Sequence, residues 1–266
     1  MDKSTILSYL GDHPWAQHIV VYDQVSSTNT LVKALGQQGT PHGTVMIADR
    51  QSAGRGRLGR SFLSPGGVGV YLSALIRPDA APAQIMHLTC AAAVAICDAV
   101  EAAAHIRPSI KWTNDLVSGK RKVAGILTEL ALDPRSQKVD YAVIGIGINC
   151  CQQVKDFDES IRDMATSLAL ATGTDIDRSR LTAEMIRSLA DLSEKLLTDK
   201  DAILKQYAAD CITIGQEIQL TRGDVIRYGR AIGIDSDGGL VVTYDSGESA
   251  TVSSGEVSVR GMYGYV

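Results

Sequence analysis

Residues 49–64, DRQSAGRGRLGRSFLS, interleave Arg50, Arg55, Arg57 and Arg60 with Gly54, Gly56 and Gly59. Glycine permits positive φ and close backbone approach, and each guanidinium presents a planar fork of donors, so the alternation makes a loop able to wrap an anion. Compact apolar runs over 44–49 and 68–76 flank it and predict two β-strands, a rigid frame for a mobile clamp. The same composition suits a solvated arginine-rich hairpin or a nucleic-acid contact, and the loop taken alone leaves those readings open. Its surroundings carry the decision.

Upstream, 5–10 reads as a short helix closed by Gly11, and IVVYD over 19–23 as a strand. In VSSTNTLVKALG, Ser26 or Ser27 suits an N-cap, Leu31, Val32 and Leu35 share one side, and Gly36 suits the C-cap. Ser27, Thr28 and Asn29 also set two hydroxyls and an amide at a helix N-terminus, where free N–H groups attract polar ligand atoms. Downstream, 83–104 has the spacing of one buried helix. A strand over 109–112, a turn at KWTNDL, a hairpin turn at 118–120, a second turn at 133–137 and the apolar strand VDYAVIGIGINC follow. Gly145 and Gly147 in that last strand leave room for something flat to lie against the backbone.

Helical periodicity returns over 156–210, with Leu181, Met185, Leu189, Leu192 and Leu196 in one stripe. From Ile212 the pattern changes to short alternating strands, EIQL, VIRYGRAIGI, GLVVTY, SATVS and EVSVR, which predict a small β-barrel. The chain therefore divides into 1–211 and 212–266, and so small a barrel needs to dock on its neighbour to be stable.

The 26 Lys and Arg stand against 30 Asp and Glu, for a net charge of −4, so the basic loop sits on a mildly acidic protein and general nucleic-acid binding is disfavoured. The N-terminus lacks the basic and apolar regions of a signal peptide, and the apolar stretch over 88–104 is broken by Cys97, Asp98 and Glu101, so a cytoplasmic protein with no membrane span is expected. Five cysteines, Cys90, Cys97, Cys150, Cys151 and Cys211, contain no CxxC pair and read as reduced core residues; the five histidines lack metal-ligand spacing.

Three further segments place polar groups at strand ends: KWTND over 111–115, RKVAGIL over 121–127 and GIGIN over 145–149. Lys122 opens an apolar strand, where its ammonium is able to neutralise a carboxylate at a pocket mouth, and Asn114 with Asp115 suits a nucleotide or its Mg²⁺. GxGxxG and GxxxxGK[ST] are both absent, so any nucleotide must be held by arginines rather than by a phosphate loop. No Ser/His/Asp nucleophile elbow occurs.

Taken together, SSTN, GRGRLGRSF, KWTND, RKVAGILTE, VIGIGIN and GEVSVR, in that order between residues 26 and 260, strongly resemble the biotin protein ligases (biotin–[acetyl-CoA-carboxylase] ligases). The resemblance implies an α+β fold: a mixed central β-sheet with helices on one side, of the class II synthetase-like biotin–lipoate ligase core, followed by a C-terminal SH3-like barrel. It implies that Ser26, Ser27, Thr28, Asn29 and Gln51 receive the biotin ring, that Gly54, Arg55, Gly56 and Arg57 close over biotin and acyl phosphate, and that Gly125, Leu127, Gly145 and Gly147 line the biotin slot. Lys122 is implied at the activated carboxyl, with Arg57, Arg60 and Asp115 as the other catalytic groups. Phe62, Asn114, Ile148, Asn149 and Arg260 are implied around ATP, Phe62 standing where the family often has Trp to stack on adenine. Thr113 stands where the family usually has Pro.

The chemistry so implied is adenylation of biotin by Mg-ATP, with pyrophosphate released, then transfer to a lysine of a biotin carboxyl carrier domain. Two anions must meet, and the arginines and the lysine offset their repulsion. No metal cluster of the protein's own is expected, Mg²⁺ arriving with ATP; a homodimer is possible. The larger members of the family carry an N-terminal helix-turn-helix and repress biotin synthesis. This chain reaches its first motif by Ser26, so the short monofunctional form, without DNA binding, is expected. The rivals are a lipoate or octanoate ligase, with a longer and less polar slot, and a biotin-responsive DNA-binding repressor.

Overall fold

The computed structural model describes residues 1–253 in full and, beyond them, the backbone of 258–261. The elements run α1 (Lys3–Leu10), β1 (Ile19–Val25), α2 (Thr28–Gln37), β2 (Thr44–Gln51), β3 (Gly69–Ile76), α3 (Leu88–Ala104), β4 (Ser109–Lys111), β5 (Asp115–Ser118), β6 (Arg121–Leu132) and β7 (Val139–Asn149). Then come α4 (Leu168–Thr172), α5 (Arg178–Lys195), α6 (Lys200–Asp210), β8 (Glu217–Arg222), β9 (Val225–Ile234), β10 (Leu240–Tyr244), β11 (Ser249–Val252) and β12 (Ser258–Gly261). A seven-stranded sheet has the order β1-β2-β3-β7-β6-β5-β4. Its β1–β2 pair is parallel and its other pairs are antiparallel, so the sheet is mixed.

The period of two along the strands separates a core from a site. On β3 and β7, Val70, Leu72, Ala74, Ile76, Ala142, Ile144, Ile146 and Ile148 point to the large core shared with α1, α3 and α5. The intervening residues, Tyr71, Ser73, Leu75, Tyr141, Val143, Gly145 and Gly147, point to the other face, and a one-residue slip would exchange the two sets. On that second face Val32 of α2 packs with Met46, Leu75, Tyr141 and Val143. The helices therefore do not all lie on one side: α2 covers the face opposite to α3 and α5.

Two expected boundaries move. Helix α2 continues through Gly36 to Gln37, because Gly36 is a packing position, where a Cβ would stand 2.8 Å from the Tyr141 ring and 2.9 Å from Leu75. The helix expected over 83–104 is two pieces, a short turn over Pro82–Ile85 and then α3. By length and composition the whole span Pro82–Ala104 would suffice to cross a membrane, but 72% of its most apolar window is buried inside the protein. The hairpin turn between β5 and β6 forms at Gly119 and Lys120, with φ of +54° and +66°, the hand that matches strand twist.

The C-terminal sheet has five antiparallel strands in the order β11-β10-β9-β8-β12, the small all-β domain that the alternation predicts and the SH3-like one that the resemblance implies. It is hooked to the first sheet at one turn. Trp112 donates its backbone N–H to Thr213 Oγ1 at 2.9 Å and its indole N–H to Gly238 O at 3.0 Å. Tyr207 of α6, fully buried, donates its hydroxyl to Thr113 O at 3.0 Å. The Trp112–Thr113 peptide is cis. Three anchors thus fix the turn that presents Asn114 and Asp115.

Candidate active site

Register builds the floor of the site in rows across the sheet. One row is Tyr71, Gly147, Gly125, Asp115 and Lys111, on β3, β7, β6, β5 and β4. The next is Ser73, Gly145 and Leu127, and the third is Leu75, Val143 and Glu129. A cavity of about 680 Å³ stands on this face. Of the residues the sequence singled out, Ser27, Thr28, Asn29, Gln51, Arg55, Gly56, Arg57, Arg60, Phe62, Asn114, Asp115, Lys122, Gly125, Leu127, Gly145 and Gly147 line it. Five segments of the chain, 27–29, 51–62, 114–115, 122–127 and 145–147, meet there because strand pairing brings their ends together.

The flat groups against the glycines belong to the protein itself. A Cβ on Gly145 would stand 1.7 Å from Asn29 Oδ1, and one on Gly147 would stand 2.5 Å from the Phe62 ring. At Gly125 a Cβ would meet both Lys122 Nζ at 3.2 Å and Phe62 at 3.3 Å. The glycine rows are seats for an amide and an aromatic ring, which then form the wall that a ligand meets.

One end of the cavity is polar and largely uncharged. Thr28 donates from its backbone N–H and its hydroxyl to Gln51 Oε1, at 2.8 and 3.1 Å. Gln51 Nε2 donates to Ser64 Oγ at 2.9 Å, and Ser64 Oγ donates to Phe62 O at 3.0 Å. Buried Ser73 lies 2.8 Å from Thr28 Oγ1 and 2.6 Å from Asn29 Oδ1, while Asn29 Nδ2 donates to Leu127 O and Glu129 Oε2, each at 3.2 Å. Ser27 caps α2 by accepting from Thr30 N.

Glu129 closes this network at the rim. Its carboxylate also receives Arg55 Nη1 at 3.0 Å and Lys33 Nζ at 3.3 Å. Burial acts to raise the Glu129 carboxyl, but the Asn29 hydrogen bond and the Arg55 and Lys33 charges outweigh it and hold the group below the usual glutamate range. The arginine loop is therefore docked on protein partners even without an anion.

The other end is cationic. Lys122 Nζ lies 2.6 Å from Asp115 Oδ1 and 5.9 Å from the centroid of the Phe62 ring. Arg57 donates to Asn114 Oδ1 at 2.9 Å, and Asn114 Nδ2 donates to Ile126 O at 2.8 Å. Burial pulls the Arg57 guanidinium below its ordinary value, against the opposing charge of Asp115, yet from that height it stays protonated. Lys111, also in the wall, is buried. From Gly147 on β7 to Asp115 on β5, in the same row, is two strand spacings, about 10 Å, and Gly145 lies one row further along, so the polar and cationic ends suit the two ends of one elongated ligand.

Several singled-out residues lie elsewhere. Ile148 points into the core, and Ser26 and Gly54 do not line the cavity. Asn149 sits behind the wall, its amide donating to Thr166 O at 3.1 Å and its carbonyl accepting from Gln152 Nε2 at 3.3 Å. Arg260 is paired through its backbone with Gln219, and its side chain lies outside the described residues. Conversely Ser73, Ser64 and Glu129 escaped notice. Ser73 is the one polar residue in GVYLSALI and Glu129 the charge in GILTELAL, so alternation along those strands was their signal.

Comparison with known proteins gives the same picture. Residues 21–149 match the Biotin/lipoate A/B protein ligase family and residues 213–260 the Biotin protein ligase C terminal domain. The chain is 35% identical over 251 residues to the bifunctional ligase/repressor BirA of Bacillus subtilis, covering 93% of this chain and 76% of that protein. It is 32% identical over 251 residues to the biotin–[acetyl-CoA-carboxylase] ligase of Mycobacterium tuberculosis, covering 91% and 89%. The Aquifex aeolicus biotin protein ligase in complex with biotin and ATP superposes with a TM-score of 0.78 at 30% identity, over 92% of this chain and 99% of that one. In sequence and in fold, the chain belongs to the biotin protein ligase family.

Proposed function

We propose that the protein activates biotin with ATP to biotinyl-5′-AMP and then transfers the biotinyl group to a lysine of a biotin carboxyl carrier domain. The observation that carries this reading is the polarity of the cavity, with the Gln51–Thr28–Asn29 network at one end and Arg57, Arg60 and Lys122 at the other. A ureido ring is a neutral hydrogen-bonding head, and a carboxylate meeting a triphosphate is an anionic tail.

In the adenylation step the biotin carboxylate attacks the α-phosphate and pyrophosphate leaves. Lys122 and Arg57 face the region where negative charge accumulates, in a site whose low polarisability strengthens each contact. A charge-assisted hydrogen bond is worth ~1.5–3 kcal/mol net, so each of these cations accounts for roughly 10- to 100-fold in rate. Phe62, seated on Gly147 beside Lys122, offers a π face to adenine. Among the described residues no group of three or more His, Cys, Asp or Glu side chains gathers to hold a metal, and Asp115 is the carboxylate in the cavity wall. That donor set fits Mg²⁺ delivered on the nucleotide, held by phosphates and at most one protein carboxylate. In the transfer step the acceptor amine must lose a proton, and Asp115, within the cavity, is the candidate acceptor.

The test is biotin-dependent exchange of pyrophosphate into ATP. Exchange that requires both biotin and Mg-ATP is the expected result. Exchange equally supported by lipoate or octanoate moves the protein to the lipoate side of its family, and no exchange with any acid ends the ligase reading.

A further inference from the structure

Strand β7 stops at Asn149, and the two residues that follow, Cys150 and Cys151, have their sulfurs 3.7 Å apart. Successive side chains of an extended strand point to opposite faces, so this contact exists because the chain bends as the strand ends. Cys150 is fully buried, whereas Cys151 is partly open to solvent. The Cys151 sulfur lies 3.5 Å from Ile176 O, just before α5, whose N-cap is Asp177 and whose first residue is Arg178.

The Arg178 charge favours a thiolate on Cys151. The sulfur–sulfur hydrogen bond, opposed by burial and helped by the Arg178 charge, holds its thiol below the usual range. The same contact and burial push Cys150 up. Cys90, Cys97 and Cys211 are buried and their thiols are pushed up by desolvation. A nucleophilic, accessible thiolate thus has a second thiol waiting behind it, the arrangement of an attacking and a resolving cysteine.

We propose that Cys150 and Cys151 form a peroxide-reactive dithiol, and that its closure to a vicinal disulfide deforms the strand end carrying Asn149 and slows adenylation. The effect on adenylation rests on the biotin ligase reading; the dithiol does not. The Cys151 thiolate attacks one oxygen of hydrogen peroxide, the O–O bond breaks, and hydroxide leaves to take up a solvent proton as water, giving a sulfenic acid. The Cys150 sulfur then attacks the Cys151 sulfur, the S–O bond breaks, and the hydroxyl leaves with the Cys150 proton as a second water. Two thiols lose two electrons and one peroxide gains them.

Closure requires the sulfurs to move from 3.7 Å to about 2.05 Å. The backbone between them is tied down on both sides: Cys151 N–H donates to Val68 O at 2.7 Å, and Cys150 O accepts from Ala169 N at 2.9 Å. The movement therefore passes into Asn149, one residue away, which pairs with Gly69 and holds Thr166 O, itself next to the residues that bracket Lys122.

The experiment treats the full chain with a small excess of hydrogen peroxide, unfolds it in urea, blocks remaining thiols with N-ethylmaleimide and maps peptides by mass. The peptide holding Cys150 and Cys151 is expected to be lighter by two hydrogens, about 2 Da, and unlabelled, and dithiothreitol restores labelling of both. Cys151→Ser should abolish the product, and Cys150→Ser should leave a sulfenic acid that dimedone traps. Both cysteines still labelled after oxidation, or a Cys151→Ser variant oxidised as fast as the parent, overturns the dithiol. Pyrophosphate exchange, measured on the same samples, should be mostly lost on oxidation and recovered on reduction. A disulfide formed with exchange unchanged overturns the regulatory part, and a chain inactive before oxidation points to failure of the ligase reading instead.

Discussion

The ring of Phe62 rests against Gly147, so closely that a methyl group on that glycine would stand 2.5 Å from its Cε1 atom. The ring also touches the neighbouring Gly125 and lies edge-on to Tyr71, with centroids 6.5 Å apart at 70°. Two adjacent strands have given up their side chains at one row of the sheet so that an aromatic from the arginine loop has a seat. Gly147→Ala should therefore displace the ring, with an overpacking loss of ~1–3 kcal/mol in urea unfolding. In a Phe62→Ala background the same change should be neutral or stabilising by ~0.5–1 kcal/mol, since alanine is favoured over glycine once the clash is gone. An identical loss in both backgrounds would show that the glycine serves something other than Phe62.

Glu129 gives the arginine loop an anion of its own. Glu129→Gln keeps a carbonyl oxygen for Asn29 but loses the charge that Arg55 and Lys33 share. Without ligands, trypsin should then cut the variant faster than the parent within 55–60. Because the Glu129 carboxyl is held below its usual value near 4.5, its stabilisation is present above that pH and is lost as pH falls through the folded value. The stability gap between parent and variant should be largest near neutrality and close in acid. A gap that widens as pH falls below the ordinary glutamate value would contradict the docking.

Much of this was legible in the sequence, and the reason is periodicity. The IGIGI alternation over 144–148 in β7 announces one face with side chains and one without, and the arginine–glycine alternation announces an anion-binding loop. What periodicity cannot say is which group fills the bare face. Nothing in Gly145 names Asn29, 116 positions earlier, as the amide lying on it; that pairing is fixed only when β7 meets β3 with Gly145 opposite Ser73. Nor does Gly36 advertise that it is a seat for the Tyr141 ring rather than a helix end, since the two uses of glycine look alike without the partner strand. Asn149 shows the opposite difficulty: a polar residue ending an apolar strand looks like a ligand contact, but Thr166 and Gln152 hold it.

The ion pair of Lys122 and Asp115, at 2.6 Å, sets a further expectation. Lys122→Ala removes a cation from the reacting end and also takes one of its cationic partners from the Asp115 carboxylate beside an anionic substrate. Exchange should fall by ~100-fold or more, the lost contact and the added repulsion acting together. Lys122→Ala with Asp115→Asn should recover part of that loss for the first half-reaction, whereas transfer to the carrier lysine should stay slow. If the double variant is worse than the single one in exchange, Asp115 serves adenylation directly rather than by balancing Lys122.

The anchors of the Trp112 turn allow a test at a distance. Tyr207→Phe removes the hydroxyl that donates to Thr113 O and leaves that buried carbonyl without this donor, at ~1–3 kcal/mol. Since Thr113 directly precedes Asn114, which orients Arg57, the variant should also raise KM for Mg-ATP while leaving KM for biotin near that of the parent. Equal effects on both constants would point to general loosening of the fold.

Substrate choice depends on the polar end of the cavity. Thr28 gives two hydrogens to Gln51 Oε1 and is itself bonded to Ser73, so the three side chains are preset at fixed angles before any ligand arrives. A ureido group, with two N–H donors and one carbonyl, is able to join such a set, while a dithiolane ring or an alkyl chain would cover it and offer nothing. Each desolvated, unpaired group costs ~1–3 kcal/mol, so two of them disfavour lipoate or octanoate by roughly 30-fold or more. Thr28→Val keeps the volume but removes the hydroxyl from the network, and the preference for biotin should fall by roughly 10-fold, the worth of one such bond. Incubating each protein with Mg-ATP and equal concentrations of the acids, then weighing the acyl-adenylates by mass spectrometry, measures both ratios. A parent enzyme that adenylates lipoate as readily as biotin would sink the assignment of this end to the ureido ring; a Thr28→Val variant with unchanged preference would move the selectivity to Gln51 and Ser73, and the adenylating end would be untouched by either result.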